Sequence, residues 1–254
     1  MSLSRLLPAV ISAALLPAGA FAQTTLSLGI GPQSAPGYFG ADSNDIGVTG
    51  NFNIQELNFG PLRLGGAEGG AAQGLGFTGS FRYIGERNGD EFRELTGTDP
   101  LDAALELGGG VTYTTDNFYV FALARYGVTG HDSLVGELGG DAIFRPSDPV
   151  ELRVGPRLFF GDDDYAQRYF GVTAAEATAN QAAGYDLTAY DAAGGLLSRG
   201  IEASAAYAFS EDWGVKATVR YDEFMNDAAE SPIVRQGSDT ATTASLVVTR
   251  RFSF

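Results

Sequence analysis

Residues Trp213–Asp222 read WGVKATVRYD, and this stretch decides the fold class because the character of its side chains alternates with a period of two. Successive side chains of a strand point to opposite faces, whereas a helical pattern would repeat every 3.6 residues. The stretch therefore predicts a strand with one apolar and one polar face. The apolar face holds Trp213, Val215, Ala217, Val219 and Tyr221, and the other holds Gly214, Lys216, Thr218, Arg220 and Asp222.

The same alternation recurs along most of the chain, with turn residues between the segments. The segments are about ten residues long, which is the length of a tilted membrane-crossing strand. In Leu134–Phe144 one residue, Ile143, is an apolar exception on the polar face. The other segments are Leu75–Tyr83, Leu101–Tyr113, Val150–Phe160 and Ile201–Phe209.

A soluble sandwich and a membrane barrel both produce this alternation, and the connections favour the barrel. Outer-membrane barrels have short periplasmic turns and longer outer loops, with aromatic residues at the membrane interfaces. Short turns fall at residues 115–117, 146–149 and 210–212, and long connections fall at 86–100, 161–189 and 226–238. The aromatic residues beside the short turns are Tyr113, Phe118, Tyr119, Phe144, Phe209 and Trp213.

The last strand of the chain ends on an aromatic residue. Alternate residues from Ala244 to Phe254 form one face, and its Phe252 and terminal Phe254 resemble the signal that the barrel-assembly machinery reads in outer-membrane proteins. Arg250 is the misfit on this face, because a charge that faces lipid must extend toward the membrane interface. The alternative is a break in register at that position.

We therefore predict an all-β fold, a transmembrane antiparallel up-and-down β-barrel with both termini in the periplasm. Counting strands back from the C-terminus favours ten. Residues Leu57–Gly74 do not fit this count. They form either a periplasmic connection or an extra hairpin that would make twelve strands, and an even number is expected in both cases.

Residues 1–22 have the three parts of a secretory signal peptide. Arg5 gives a positive start, Leu6–Leu16 is an apolar run, and Ala20-Phe21-Ala22 is a cleavage site. We expect this segment to be removed on export. Residues 23–254 then form one barrel domain, which we expect in the outer membrane of a Gram-negative cell.

The composition excludes several classes of function. The 254 residues include 31 Asp plus Glu against 16 Lys plus Arg, a net charge of -15, whereas nucleic-acid binding needs basic patches. With no Cys and one His, the chain has no thiol nucleophile and no multi-His metal site. We expect a protein that is not an enzyme and that has no catalytic residues, cofactor or metal.

The polar faces of the predicted strands would line the barrel interior. Charges away from bulk water are costly unless they are paired, and narrow barrels are filled by side chains. We therefore interpret the charges as a cross-linked polar core, with a narrow channel as the alternative. The predicted charge network of the lumen comprises Glu151, Arg153, Arg157, Glu202, Lys216 and Arg220.

His131-Asp132-Ser133 is where His, Asp and Ser adjoin in the sequence. Neighbouring side chains point apart and a catalytic triad needs converging ones, so a polar turn is favoured over a barrel hydrolase that uses His131 and Ser133. The acidic groups at 42–45 and 162–164 lack the spacing of a calcium loop. They are predicted to be solvated loop tips, with divalent bridging to lipopolysaccharide as the alternative.

The loops carry short motifs in a defined order. Pro36–Asp42 reads PGYFGAD, Tyr169–Thr173 reads YFGVT, Ser231–Val234 reads SPIV, and the chain ends with RFSF. In this order and spacing, the set resembles the MipA/OmpV family of outer-membrane proteins over essentially the whole mature chain. The motif positions in the loops are Tyr38, Gly40, Tyr165, Tyr169, Phe170, Gly171, Ser231 and Pro232.

This resemblance implies an envelope scaffold, because the family's namesake joins the lytic transglycosylase MltA to a penicillin-binding murein synthase. Other members are linked to osmoadaptation and adhesion. The implied partners are outer-membrane lipid and lipopolysaccharide, the barrel-assembly machinery, and those two murein enzymes, and a monomer is expected. We favour packing of the motif aromatics over the barrel mouth, with binding of an external ligand as the alternative. Residues 173–183 predict a short helix in the longest loop.

Overall fold

The computed structural model describes residues 25–59, 62–65 and 73–253, so the predicted signal peptide and Phe254 lie outside the described residues. Within them, eleven strands form one antiparallel sheet. The strands are β1 (Thr25–Pro36), β2 (Asn44–Phe59), β3 (Leu62–Gly65), β4 (Gly74–Ile84), β5 (Ala104–Thr114), β6 (Phe118–Thr129), β7 (Leu134–Ser147), β8 (Val150–Gly161), β9 (Gly195–Ala208), β10 (Trp213–Phe224) and β11 (Thr240–Ser253).

The predicted fold class is confirmed, because ten long strands follow one another in antiparallel order. The four residues of β3 form an eleventh, short strand that pairs with the end of β2, with Leu57 opposite Leu64. The segment Leu57–Gly74 is therefore partly a hairpin on β2, which the count of ten did not include. Its residues 60, 61 and 66–72 lie outside the described part of the chain.

The sheet curls until its two ends approach each other. The strand order is β3-β2-β1-β11-β10-β9-β8-β7-β6-β5-β4, so the first long strand of the chain pairs with the last. Ile30 of β1 lies opposite Val248 of β11 in that pairing. At the far ends of the order, Cα atoms of β2 and β3 come within 8 Å of Cα atoms of β4.

The two faces of the sheet differ as the period of two predicts. In β4, exposed and partly buried residues alternate from end to end. Large apolar side chains point outward and are exposed, including Leu75, Phe77, Leu107, Val120, Leu152 and Val219. Charged side chains are buried inside, including Glu106, Arg125, Asp141 and Arg157. An apolar outer face and a polar interior are the arrangement of a barrel in lipid.

All four α-helices of the described residues lie in the long connections, at the end of the barrel opposite the short turns. They are α1 (Asp163–Phe170), α2 (Ala174–Ala182), α3 (Asn226–Glu230) and α4 (Pro232–Arg235). Helix α2 confirms the predicted helix at 173–183, and it begins with a capping box in which Thr173 and Glu176 satisfy each other's backbone N–H. Within the described ranges, no helix has the length and apolar character needed to cross a membrane.

Candidate functional site

The interior of the barrel contains a network of ion pairs centred on Glu106 of β5. Its carboxylate is fully buried and contacts Arg82 of β4 at 2.6 Å and Arg125 of β6 at 3.1 Å. These three strands are neighbours, so the register brings one acid between two guanidinium groups. A buried carboxylate needs such partners, because an unpaired one would lose its hydration without compensation.

The network continues across the barrel through Glu137 of β7. Arg125 reaches Glu137 at 3.0 Å, and Arg220 of β10 reaches the same carboxylate at 2.6 Å. Arg220 also contacts Asp222 at 2.7 Å. Strands β7 and β10 are separated in the sheet by β8 and β9, so these side chains meet through the interior rather than along the sheet.

A second set of ion pairs includes four of the residues that the sequence placed in the lumen. Arg157 contacts Asp141 at 2.8 Å and Glu202 at 3.0 Å. Arg153 contacts Glu151 at 2.6 Å, and Arg145 contacts the same acid at 2.6 Å. Each carboxylate of this set therefore has a cationic partner.

The predicted lumen residues thus fall into separate pairs. The structure brings Arg157 to Glu202 and Arg153 to Glu151, while Arg220 pairs with Glu137 and Asp222. Lys216 is half-buried and has no ion pair within 4.0 Å among the residues that the structure describes.

Arg125 is a central residue that the sequence reasoning missed. It lies in Phe118–Thr129, where Phe121 to Ala124 are all apolar and hide the period of two. The usable signal was the single arginine in an otherwise apolar strand, because such a charge must face a polar interior.

The long connections fold over one end of the barrel and form a structure that we call the loop cap, residues 37–43, 85–103, 130–133, 162–194 and 225–239. Its core is aromatic: Phe39 packs against Tyr169 at 5.3 Å and against Phe170 at 5.6 Å between ring centroids. Tyr165, Tyr169 and Phe170 are buried. The motif aromatics therefore pack within the loop cap, as favoured from the sequence.

Tyr165 connects the loop cap to the charged interior. Its hydroxyl accepts a hydrogen bond of 2.7 Å from Arg82, the same guanidinium that contacts Glu106. Burial raises the pKa of Tyr165, so its hydroxyl stays neutral. Movement of this loop would therefore disturb the ion-pair network below it.

Ser231 joins two of the sequence motifs. Its hydroxyl donates to the carbonyl of Phe170 at 2.6 Å and accepts from the N–H of Ile233 at 3.2 Å, which caps α4. Pro232 occupies the start of that helix, where its missing N–H costs nothing. The YFGVT and SPIV motifs are thus in direct contact.

The remaining motif positions are set by close packing. Tyr38 is buried and donates to Glu94 at 2.8 Å, and burial raises its pKa. Gly40 has a φ of 99°, and a Cβ there would lie 2.8 Å from the Cα of Val234. At Gly171, a Cβ would lie 2.4 Å from the carbonyl oxygen of Gln167.

The loop cap also buries an arginine, Arg87, which no motif indicated. It donates to the carbonyl of Tyr169 at 3.0 Å, and among the described residues no carboxylate lies within 4.0 Å of it. Burial lowers the pKa of Arg87 to about 10. Arg87 therefore contacts α1 through the backbone carbonyl of Tyr169.

His131 and Ser133 line a crevice of about 490 Å³ at the outer surface of the loop cap. The N–H of Ser133 donates to Nδ1 of His131 at 3.2 Å, and Nε2 lies 3.3 Å from Glu106. Burial lowers the pKa of His131, although Glu106 opposes this effect. Within the described part of the chain, no hydrogen bond joins the Ser133 hydroxyl to His131, and no group of three acidic or His side chains could hold a metal.

A family model described as MltA-interacting protein MipA matches residues 28–252. The fold resembles that of an outer membrane channel from Pseudomonas putida F1, with 11% identity, 98% of this chain and 100% of that chain covered, and a TM-score of 0.45. It also resembles Neisserial surface protein A, with 11% identity, coverage of 91% and 97%, and a TM-score of 0.30. A third similar structure is the outer membrane protein OprG from Pseudomonas aeruginosa, with 9% identity, 91% of this chain and 97% of that chain covered, and a TM-score of 0.25. No curated protein matches the chain.

Proposed function

Because this chain belongs to the MipA family and is an outer-membrane β-barrel, we propose that it is a non-enzymatic envelope scaffold. In this role it links the outer membrane to a lytic transglycosylase and to a penicillin-binding murein synthase. The family description, MltA-interacting protein, names the first of these partners.

The observation that carries the proposal is the pairing of charged side chains inside the barrel. The ion pair of Arg220 and Glu137 joins β10 to β7 through the lumen, and Tyr165 of the loop cap accepts a hydrogen bond from Arg82 of the same network. A barrel filled in this way offers its two ends, rather than its interior, for binding. This supports a role in which the protein holds other proteins at the membrane.

The periplasmic end is the one suited to murein enzymes, because murein lies on that side of the outer membrane. In the family's architecture the short turns face the periplasm. They present exposed Asp116, Asp148, Glu211 and Asp212. We assign the partner surface to this end and to the adjacent hairpin of β2 and β3.

Site-specific photocrosslinking in whole envelopes tests the scaffold. A crosslinking residue at Glu211 or Asp148, on the short turns, should capture a lytic transglycosylase or a murein synthase. The matched control is the same residue at Thr178 of α2, an exposed position in the loop cap, which should capture neither. Absence of both enzymes from the short-turn adducts would refute the scaffold role.

A narrow channel is the second function that the charged interior suggests. The pairing of those charges argues for a plug rather than a path, since each ion pair in the interior leaves fewer free charges in the lumen. Planar-bilayer recording of the purified protein should therefore show no conductance steps. Regular steps that vanish on heating would favour the channel instead.

A further inference from the structure

Arg250 is a charged residue on the outward, lipid-facing side of the barrel. It is exposed on β11, on the same face as Leu246 and Val248, which are also exposed. Its partners in register are Leu28 of β1 and Trp213 of β10. The register is therefore intact here, and the guanidinium lies among apolar neighbours.

The guanidinium is held by aromatic rings and has no anionic partner in the described residues. Its Cζ lies 5.2 Å from the ring centroid of Trp213 and 4.9 Å from that of Phe252. No carboxylate of the described chain lies within 4.0 Å of it. A guanidinium has five N–H donors, and contact with aromatic rings leaves these donors available.

The height of Arg250 in the membrane follows from its neighbours. Trp213 is the first residue of β10 after a short turn, and the N–H of Arg251 donates to the carbonyl of Asp212 in that turn at 2.7 Å. Exposed aromatic side chains mark the same end of the barrel at Tyr113, Phe118, Phe144 and Phe209. Aromatic residues collect at the level of the lipid headgroups, where the nearest anions are lipid phosphates.

An apolar trough lies on the outer face of strands β7 to β10, the last of which also carries Trp213. Its floor is formed by small side chains, Ala203 and Ala205 of β9 and Ala217 of β10, with Ala205 opposite Ala217. Phe144 and Leu152 also line the trough, which has a volume of about 530 Å³. Ala217 is four residues beyond Trp213, roughly 13 Å along the strand toward the centre of the bilayer at about 3.3 Å per residue.

We propose that Arg250, Trp213 and the trough form a binding site for one anionic phospholipid of the periplasmic leaflet. Arg250 donates hydrogen bonds to the phosphate, Trp213 packs beside the glycerol region, and one acyl chain lies in the trough. The positive charge of Arg250 and its position at the level of the lipid headgroups favour an anionic headgroup. The distance from Trp213 to Ala217 fits an acyl chain that runs from the headgroup toward the centre of the bilayer. This site is independent of the proposed scaffold role.

The only tryptophan of the chain, Trp213, is part of the site and reports on it directly. The folded barrel is reconstituted in vesicles of phosphatidylcholine that contain a small fraction of phosphatidylglycerol with brominated acyl chains, which quench tryptophan fluorescence on contact. Brominated phosphatidylcholine at the same mole fraction is the reference. We expect about fivefold preferential association of the anionic lipid, the ratio that about 1 kcal/mol per cation gives.

Arg250→Gln should bring this ratio close to one, while Arg250→Lys should keep most of it. Arg235→Gln, which removes an exposed cation from the loop cap, should leave the ratio unchanged. Ala205→Phe should fill the trough and reduce quenching by both brominated lipids, whereas Val128→Phe, an exposed outward position on another strand, should not.

Equal quenching by the two lipids in the unchanged protein would overturn the proposal without any variant. A ratio that survives Arg250→Gln in a barrel with normal heat-modifiable gel mobility would also overturn it. If Ala205→Phe leaves the quenching unchanged, the trough is not part of the lipid-binding site.

Discussion

We expect Glu106→Gln to destabilise the barrel strongly, although it hardly changes the shape of the side chain. The amide has nearly the shape of the carboxylate, so packing is retained and the negative charge alone is removed. Two guanidinium groups then face a neutral side chain, those of Arg82 at 2.6 Å and Arg125 at 3.1 Å. His131 loses the same neighbour at 3.3 Å.

The magnitude of this destabilisation depends on the partners that Arg82 and Arg125 retain. Removal of one partner from a buried ion pair commonly costs about 3–5 kcal/mol. Arg125 retains Glu137 at 3.0 Å and Ser80 at 3.1 Å. Arg82 retains the neutral hydroxyl of Tyr165 at 2.7 Å and the ring of Phe159, whose centroid lies 4.2 Å from its Cζ. We therefore expect a loss near the lower limit, about 3 kcal/mol of unfolding free energy.

Urea unfolding in lipid vesicles measures this loss, with folded and unfolded protein separated by gel mobility without heating. Glu151→Gln is the matched control, because this acid also meets two arginines but its side chain is 27% exposed. Water offsets the missing charge there, so the control should lose about 1 kcal/mol or less. If Glu106→Gln loses no more than Glu151→Gln, the central role of Glu106 in the interior network is wrong.

Three further predictions concern the loop cap. Burial lowers the pKa of His131 in the folded protein, so the folded state is most stable above the pKa of about 6.5 of the unfolded chain and loses stability as the pH falls below it. Proteolysis of the loop cap should therefore accelerate from pH 7 to pH 5. A rate of proteolysis that is independent of pH would contradict this. Ser231→Ala should cost about 1–2 kcal/mol in urea unfolding, because the carbonyl of Phe170 loses its donor, whereas Thr178→Ala on the exposed face of α2 should cost under about 0.5 kcal/mol. Gly40→Ala should lower the unfolding free energy by about 1–3 kcal/mol, because the φ of Gly40 is 99° and a Cβ there would lie too close to Val234. Gly47→Ala is the control, because a Cβ at Gly47 meets no atom within 4 Å and the unfolding free energy should hardly change. Equal losses for the two variants would refute the packing argument.

The strands could be predicted closely because their pattern is local. The alternation in Trp213–Asp222 depends on one segment and its own two faces, and β10 begins at the same residue. Helix α2 was predictable for a similar reason, since the helix propensity of residues 173–183 is a property of that one segment. The sequence left residues 57–74 open between a connection and an extra hairpin, because the four residues of β3 are too few to show a period.

The partners of the buried charges could not be predicted in the same way. Glu137 and Arg220 are 83 residues apart and lie on strands that are not neighbours, so their contact depends on the curvature of the whole sheet. Arg87 gave no sign of burial in the sequence, because loops carry no period. For Arg125 the signal was its place in an otherwise apolar strand, which indicates an inward side chain but not its partners. The contact of Ser231 with Phe170 likewise joins two loops that meet only above the curled sheet.

The sequence by itself therefore determined the class of fold, the strands, the apolar outer face and the family, because period-two alternation and ordered motifs are properties of the chain. Only the tertiary structure decided which charges pair across the lumen, how Tyr165 joins the loop cap to Arg82, and where Arg250 meets Trp213. The physical reason is distance along the chain. Such contacts form between segments that only the curling of the sheet brings together, and no local pattern encodes that curvature.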